Sequence, residues 1–175
     1  MKKQIISKYL QFRNIPNILS LIRIILIIPI IIFIEINNLN YVWYLLIIAG
    51  ITDFLDGYFA KRYNLTSITG SIIDPLADKV IIIIPLIWLC SNEIIPFWSL
   101  ALITLREFIV TAFRSSKKDG MPALRFGKYK TLFFFIALII LFAPFKDVHI
   151  INSGLLIYWI GFSLNIISLI TYLPI

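Results

Sequence analysis

Four aspartates stand out in a chain that is otherwise strongly apolar: Asp53 and Asp56, three residues apart, and Asp74 and Asp78, four apart. On helices, each spacing projects both carboxylates from one face. Two such helices facing each other aim four oxygen-rich side chains at one point. The flanking sequence reads as bilayer, where one carboxylate costs roughly 2.5–3.5 kcal/mol, so four without compensation would cost on the order of 10 kcal/mol. Positive charge must offset this. Lys61, Arg62 and Lys79 are near in sequence, and salt bridges without chemistry are the plain alternative. These three sit toward the ends of the apolar stretches, where long side chains reach the headgroups instead. Clustered carboxylates suit Mg2+ or Mn2+, and two such ions neutralise four of them. The expectation is a two-ion site on Asp53, Asp56, Asp74 and Asp78.

The elements that hold these residues follow from composition. The chain has 175 residues, is 60% hydrophobic and has a mean hydropathy of +0.95, which excludes a soluble globular domain of ordinary surface polarity. The expected fold is an all-α integral membrane protein, with six transmembrane helices plus a short N-terminal interfacial helix. No linker, repeat or low-complexity run interrupts it, so residues 1–175 read as a single membrane domain with 1–16 as an amphipathic juxtamembrane segment. The single Cys90 excludes an intramolecular disulfide.

Six spans are predicted: Ile18–Ile34, Tyr41–Phe59, Ser71–Leu89, Pro96–Phe113, Thr131–Phe145 and Ile150–Tyr172. Lys2, Lys3, Lys8 and Arg13, interleaved with Ile5, Tyr9 and Phe12 at helical spacing, suit a helix on an anionic leaflet or a basic tail that only fixes orientation. Arg23, inside the first span, is expected to face the bundle interior or a water-filled cavity. Residues 35–40 form a polar turn, and Tyr41, Trp43 and Tyr44 mark an aromatic belt, so Asp53 and Asp56 lie near the opposite face. Asp74 and Asp78, in the first two turns of the third span, fall at the same depth. In the fourth span Arg106 and Glu107 are adjacent, about 100° apart around the helix, and are not expected to pair. Gly154, Gly161 and Ser168, at seven-residue intervals, suit close helix approach.

Of 16 Lys and Arg residues, all except Lys146 fall on the side shared by the N-terminus and the 61–70 and 115–130 segments. That side is predicted to be cytoplasmic. His149 lies on the other side, far from the carboxylates, and reads as an ordinary loop histidine. Carboxylates holding divalent ions at a membrane surface suit a substrate with a diphosphate head and a lipid tail. Gly57 and Gly70 allow close backbone approach, while Thr66 and Ser67 in the intervening loop can donate to phosphate oxygens.

The pattern Asp53-x-x-Asp56-Gly57-x-x-Ala60-Lys61, eight residues, then Gly70-x-x-x-Asp74-x-x-x-Asp78 resembles the signature of the CDP-alcohol phosphatidyltransferases. One position departs: the family's usual Arg is Lys61 here, which keeps the charge and loses the planar fork that reads phosphate. The resemblance implies that Asp53, Asp56, Asp74 and Asp78 hold two divalent ions, Mg2+ or Mn2+, and that Asp78 is catalytic, taking the proton from the acceptor hydroxyl. It further implies that Asn17, Gly57, Ala60, Lys61, Ser67 and Gly70 contact CDP-diacylglycerol, and that CMP leaves. The stretches Asn14–Arg23, Arg106–Arg114 and Gly127–Thr131 are in addition similar to bacterial phosphatidylglycerophosphate synthases. Arg106, Arg114, Lys128 and Lys130 are then expected to form a cationic pocket for the phosphate of sn-glycerol 3-phosphate.

Several alternatives remain open. The same chemistry with inositol phosphate, serine or phosphatidylglycerol as acceptor is the nearest, and a small cation transporter is the most distant. A transporter places its polar groups near the midplane between broken helices, whereas here they gather toward one face. Expected partners are the two substrates and anionic membrane lipids, with lateral homodimerisation suited to so small a bundle; nucleic acid is not among them. The expected location is the bacterial inner membrane, multi-pass, with the active site facing the cytoplasm.

Overall fold

The computed structural model describes the backbone of residues 15–63, 68–116, 125–145 and 147–172, and the side chains of 21–55, 79–111, 129–145 and 147–171. The described residues form six helices: α1 Ile15–Glu35, α2 Leu39–Tyr63, α3 Ile68–Ser91, α4 Phe97–Ser116, α5 Arg125–Leu141 and α6 Val148–Tyr172. The chain divides into two compact units, Met1–Ile81 and Ile82–Ile175, with the boundary inside α3.

Each expected span has its helix, with shifted ends. The largest shift is in α5, which begins at Arg125 and stops at Leu141 rather than running from Thr131 to Phe145. Lys and Arg are good helix formers, so the basic stretch continues the helix, while Pro144 disfavours helical backbone at the residue before it. The proposed interfacial helix falls largely outside the described residues; Ile15 and Pro16 already belong to α1. Among the described residues, α6 is the one helix long and apolar enough to cross a membrane by length and composition, over Val148–Thr171. Shorter apolar helical stretches lie at Leu39–Leu55, Lys79–Ser91 and Tyr129–Leu141.

In the first unit, α1 and α2 form a hairpin. Asn37 takes a left-handed conformation, φ 55°, just past the end of α1. The Asn38 and Asn37 amides donate back to the Phe33 and Ile34 carbonyls at 2.8 and 3.0 Å, closing the helix with a Schellman motif that asparagine tolerates well. Beside the turn, Phe33 stacks on Tyr41, with ring centroids 4.8 Å apart. Val42, Leu46 and Ala49 are buried along one face of α2, and Ile30 is buried on α1. Continuing α2 by four residues along that face reaches Asp53.

The second unit is built on an α5–α6 hairpin to which α4 adds. Gly161 lets α6 approach α5 closely, because a Cβ there would lie 3.2 Å from Phe133 Cβ and from the Phe134 ring. Gly154 faces Leu141 in the same way, so both glycines of the seven-residue stripe face α5. Ser99, Ile103, Arg106 and Val110 form the buried face of α4. Two bonds from it to α6 among the described residues, Ser99 to Tyr158 and Arg106 to Ser168, advance in the same direction along both helices, so α4 and α6 run parallel. Trp98, Trp159 and Phe162 make an aromatic cluster with centroids 5.5–5.6 Å apart at the start of α4.

Candidate functional site

The acidic signature lies on the two helices expected for it. Asp53 and Asp56 are on α2, Asp74 and Asp78 on α3, and all four belong to the first unit. The side chain described is that of Asp53; those of Asp56, Asp74 and Asp78 lie outside the described residues, as do those of Asn17, Gly57, Ala60, Lys61 and Gly70 and the whole of Ser67. Among the described residues, no three His, Cys, Asp or Glu side chains come together.

Asp53 is held by a residue for which the sequence suggested no partner. Arg23 Nη1 on α1 donates to Asp53 Oδ1 at 2.7 Å. The guanidinium is 2% exposed, while the carboxylate side chain is 61% exposed. The hairpin explains the meeting. Counting back from the Phe33–Tyr41 contact on α1 and forward on α2 brings Arg23 opposite Asp53, each roughly 20 Å from the turn at 1.5 Å per residue. A carboxylate with one oxygen engaged and the rest facing outward fits a hard divalent cation, and the four-carboxylate set has the same chemical preference.

A second constellation belongs to the other unit. Arg106, 4% exposed, donates from Nη2 to Ser168 Oγ at 2.7 Å and from Nη1 to Glu107 Oε1 at 3.2 Å. Lys130 on α5 is likewise buried and bonds the same Glu107 oxygen through Nζ. The expectation that Arg106 and Glu107 would not pair is therefore corrected. The 100° between adjacent positions separates their Cβ atoms, but a long, flexible arginine sweeps around the helix, and Lys130 fixes the carboxylate where both cations meet it. Two cations share one carboxylate, so the cluster keeps one net positive charge among the named groups in a largely buried place. The structure thus brings Arg106 and Lys130 together, whereas the Arg114 and Lys128 side chains lie outside the described residues, on the last turn of α4 and the first of α5.

Two α6 residues in this region were missed by sequence reasoning. Ser168, expected only to permit close packing, accepts from Arg106 and donates to the Asn165 carbonyl at 2.9 Å. Asn165 is completely buried, and neither polar atom of its side-chain amide has a hydrogen-bond partner. The hairpin register, with Leu141 against Gly154 and Phe134 against Gly161, places Lys130 level with Asn165. A polar residue on the inward stripe of an apolar helix was the available signal. His149 is exposed, and its amide bonds the Asp147 carboxylate at 2.9 Å, a helix N-cap that agrees with the loop reading.

A family model described as CDP-alcohol phosphatidyltransferase matches residues 13–169. The chain is 37% identical over 171 residues to a CDP-diacylglycerol–glycerol-3-phosphate 3-phosphatidyltransferase of Rickettsia felis, covering 91% of this chain and 93% of the relative. It is 30% identical over 179 residues to the protein so named in Salmonella paratyphi A, covering 94% of each. The Bacillus subtilis protein of that name is 40% identical over 90 residues, 50% of this chain and 47% of the relative.

Proposed function

Because the chain belongs to the CDP-alcohol phosphatidyltransferase family, we propose that it transfers a phosphatidyl group from CDP-diacylglycerol to sn-glycerol 3-phosphate, giving phosphatidylglycerophosphate and CMP. Relatives that bear that activity in their names and align along almost the whole chain support the reaction. The observation that carries the acceptor is the convergence of buried Arg106 and Lys130 on one carboxylate, a cation-rich cluster suited to an anionic acceptor. A phosphorylated acceptor supplies that anion with a larger charge than the single carboxylate of serine, and a simple alcohol supplies none. The buried Asn165 amide adds an unused donor and acceptor in the same unit, suited to a hydroxylated molecule.

Asp53, Asp56, Asp74 and Asp78 are proposed to hold two divalent ions, Mg2+ or Mn2+. When bound, these neutralise the diphosphate and the charge that develops on the departing phosphate. Gly57 and Gly70 admit the nucleotide close to the backbone, with Asn17, Ala60, Lys61 and Ser67 completing its contacts. Arg106, Arg114, Lys128 and Lys130 bind the acceptor phosphate and thereby orient its hydroxyl. Asp78 accepts the hydroxyl proton as the oxygen attacks the phosphorus bearing the diacylglycerol; the bond from that phosphorus to the bridging oxygen breaks and CMP departs.

The protein is read as a multi-pass bacterial inner-membrane enzyme with six spans, both termini and the active site on the cytoplasmic side. The test of the reaction is to supply purified protein with CDP-diacylglycerol and Mg2+ or Mn2+ and to offer labelled glycerol 3-phosphate, inositol phosphate, serine and phosphatidylglycerol. Phosphatidylglycerophosphate with stoichiometric CMP is the expected product, and preferential transfer to any other acceptor overturns the assignment.

A further inference from the structure

The pairing of Arg23 with Asp53 is unusual in its distribution of exposure. The cation is withdrawn from solvent and its carboxylate partner is mostly outside, so the arginine reaches from within the hairpin to one oxygen at 2.7 Å. Desolvating a guanidinium is costly, and its ion pair with a mostly exposed carboxylate returns only part of that cost. Apolar residues of similar volume would join α1 to α2 at least as well. What the arginine does provide is direction. It grips Oδ1 alone among the Asp53 oxygens, from a position within the α1–α2 hairpin whose buried side chains include Ile30, Val42, Leu46 and Ala49.

We propose that Arg23 is a positioning residue for Asp53: it fixes the carboxylate through Oδ1 so that the second oxygen is presented to a divalent cation. The inference rests on the reading of Asp53 as a metal ligand. Carboxylates that ligate metals are themselves hydrogen-bonded, and loss of such an outer partner typically weakens metal binding about 10–100-fold.

The sign of the effect separates this role from its rivals. A cation beside a cation site opposes metal binding electrostatically, so an arginine that acted only through its charge would, when removed, leave the metal bound more tightly. An arginine that served only to join the helices would, when removed, lower thermal stability and leave the affinity of the folded protein unchanged. A positioning arginine, when removed, leaves the metal bound more weakly.

The experiment is titration of detergent-solubilised full-length protein with Mn2+, read by electron paramagnetic resonance without substrate, for wild type, Arg23→Gln, Arg23→Lys and Asp74→Asn, with thermal unfolding as a check on the fold. Wild type is expected to bind two Mn2+, Asp74→Asn fewer or more weakly, and Arg23→Gln to lose about 10–100-fold in affinity. Arg23→Lys recovers part of that loss, because one donor and the charge remain on a differently shaped head. Unchanged or tighter Mn2+ binding by folded Arg23→Gln, with Asp74→Asn impaired, overturns the positioning role and leaves the metal site standing. Absence of Mn2+ binding by wild type overturns both. Should Arg23→Gln fail to fold, Arg23→Lys decides: wild-type affinity in that variant contradicts the proposal.

Discussion

Lys130 of α5 and Glu107 of α4 meet as an ion pair, Nζ to Oε1, in a part of the second unit where both side chains are largely withdrawn from solvent. Arg106 shares the same oxygen, so one carboxylate holds two buried cations. Removing one partner of a buried pair leaves the other uncompensated, at about 3–5 kcal/mol. Glu107→Gln is therefore predicted to lower the thermal unfolding temperature in detergent more than Lys130→Met, because it removes the carboxylate that both cations share, whereas Lys130→Met leaves the Arg106–Glu107 pair in place. A smaller shift for Glu107→Gln than for Lys130→Met contradicts this account of the cluster.

Arg114 follows Arg106 by eight residues, two helical turns and roughly the same face, at the end of α4. If it binds the acceptor phosphate, Arg114→Ala raises the KM for glycerol 3-phosphate far more than that for CDP-diacylglycerol. One charge-assisted contact is worth about 1.5–3 kcal/mol, or roughly ten- to a hundredfold. Arg114→Lys recovers part of the effect, since an ammonium supplies charge without the bidentate fork. Steady-state kinetics with each substrate varied in turn check this; an unaltered KM for glycerol 3-phosphate counts against it.

The hydroxyls of Ser99 and Tyr158, both fully buried, bond at 2.6 Å between α4 and α6. Ser99→Ala strands the tyrosine hydroxyl and is predicted to cost about 1–3 kcal/mol. Adding Tyr158→Phe removes the stranded group, so the double variant should lose less than the two single losses combined. Chemical denaturation of the four proteins in a double-mutant cycle measures the coupling. Strict additivity would show that the hydroxyls do not depend on each other.

What could be read from the sequence was whatever repeats along one helix. Long, mainly apolar stretches marked the six helices, and carboxylate spacing put each acidic pair on a helix of its own. Helix ends were less legible: Arg125–Lys130 looked like a polar loop because polarity and helix propensity are different properties, and lysine and arginine have both. Contacts between helices were the least legible. Arg23 was recognisable as a buried cation, but its partner depended on the register of the α1–α2 hairpin, which the Asn37 turn and the Phe33–Tyr41 stack set. Arg106 and Glu107 were judged by the angle between their backbone positions, which neglects side-chain reach and a third residue, Lys130, arriving from α5. Asn165 went unremarked because its one signal, a polar residue on the inward stripe of an apolar helix, is a single amide rather than a repeating pattern.

The lopsided distribution of Lys and Arg predicts both termini inside the cell. In a Cys90→Ser background, Asn38→Cys is expected to react with an impermeant thiol reagent added outside spheroplasts, and Gly120→Cys only after lysis. Reaction of position 120 but not 38 from outside would reverse the topology.

The central claim is that the carboxylates of α2 and α3 carry a metal-dependent phosphatidyl transfer. It is tested most directly by measuring CMP release from CDP-diacylglycerol and glycerol 3-phosphate by wild type, Asp53→Asn, Asp74→Asn and Asp78→Asn, with Mn2+ and with chelator. Turnover is predicted to vanish in chelator and in Asp53→Asn and Asp74→Asn. In Asp78→Asn it should fall by at least about 10²–10⁴-fold, the typical loss for a missing general base. Near-normal turnover in any of the three variants, or full activity of the wild type in chelator, would contradict it.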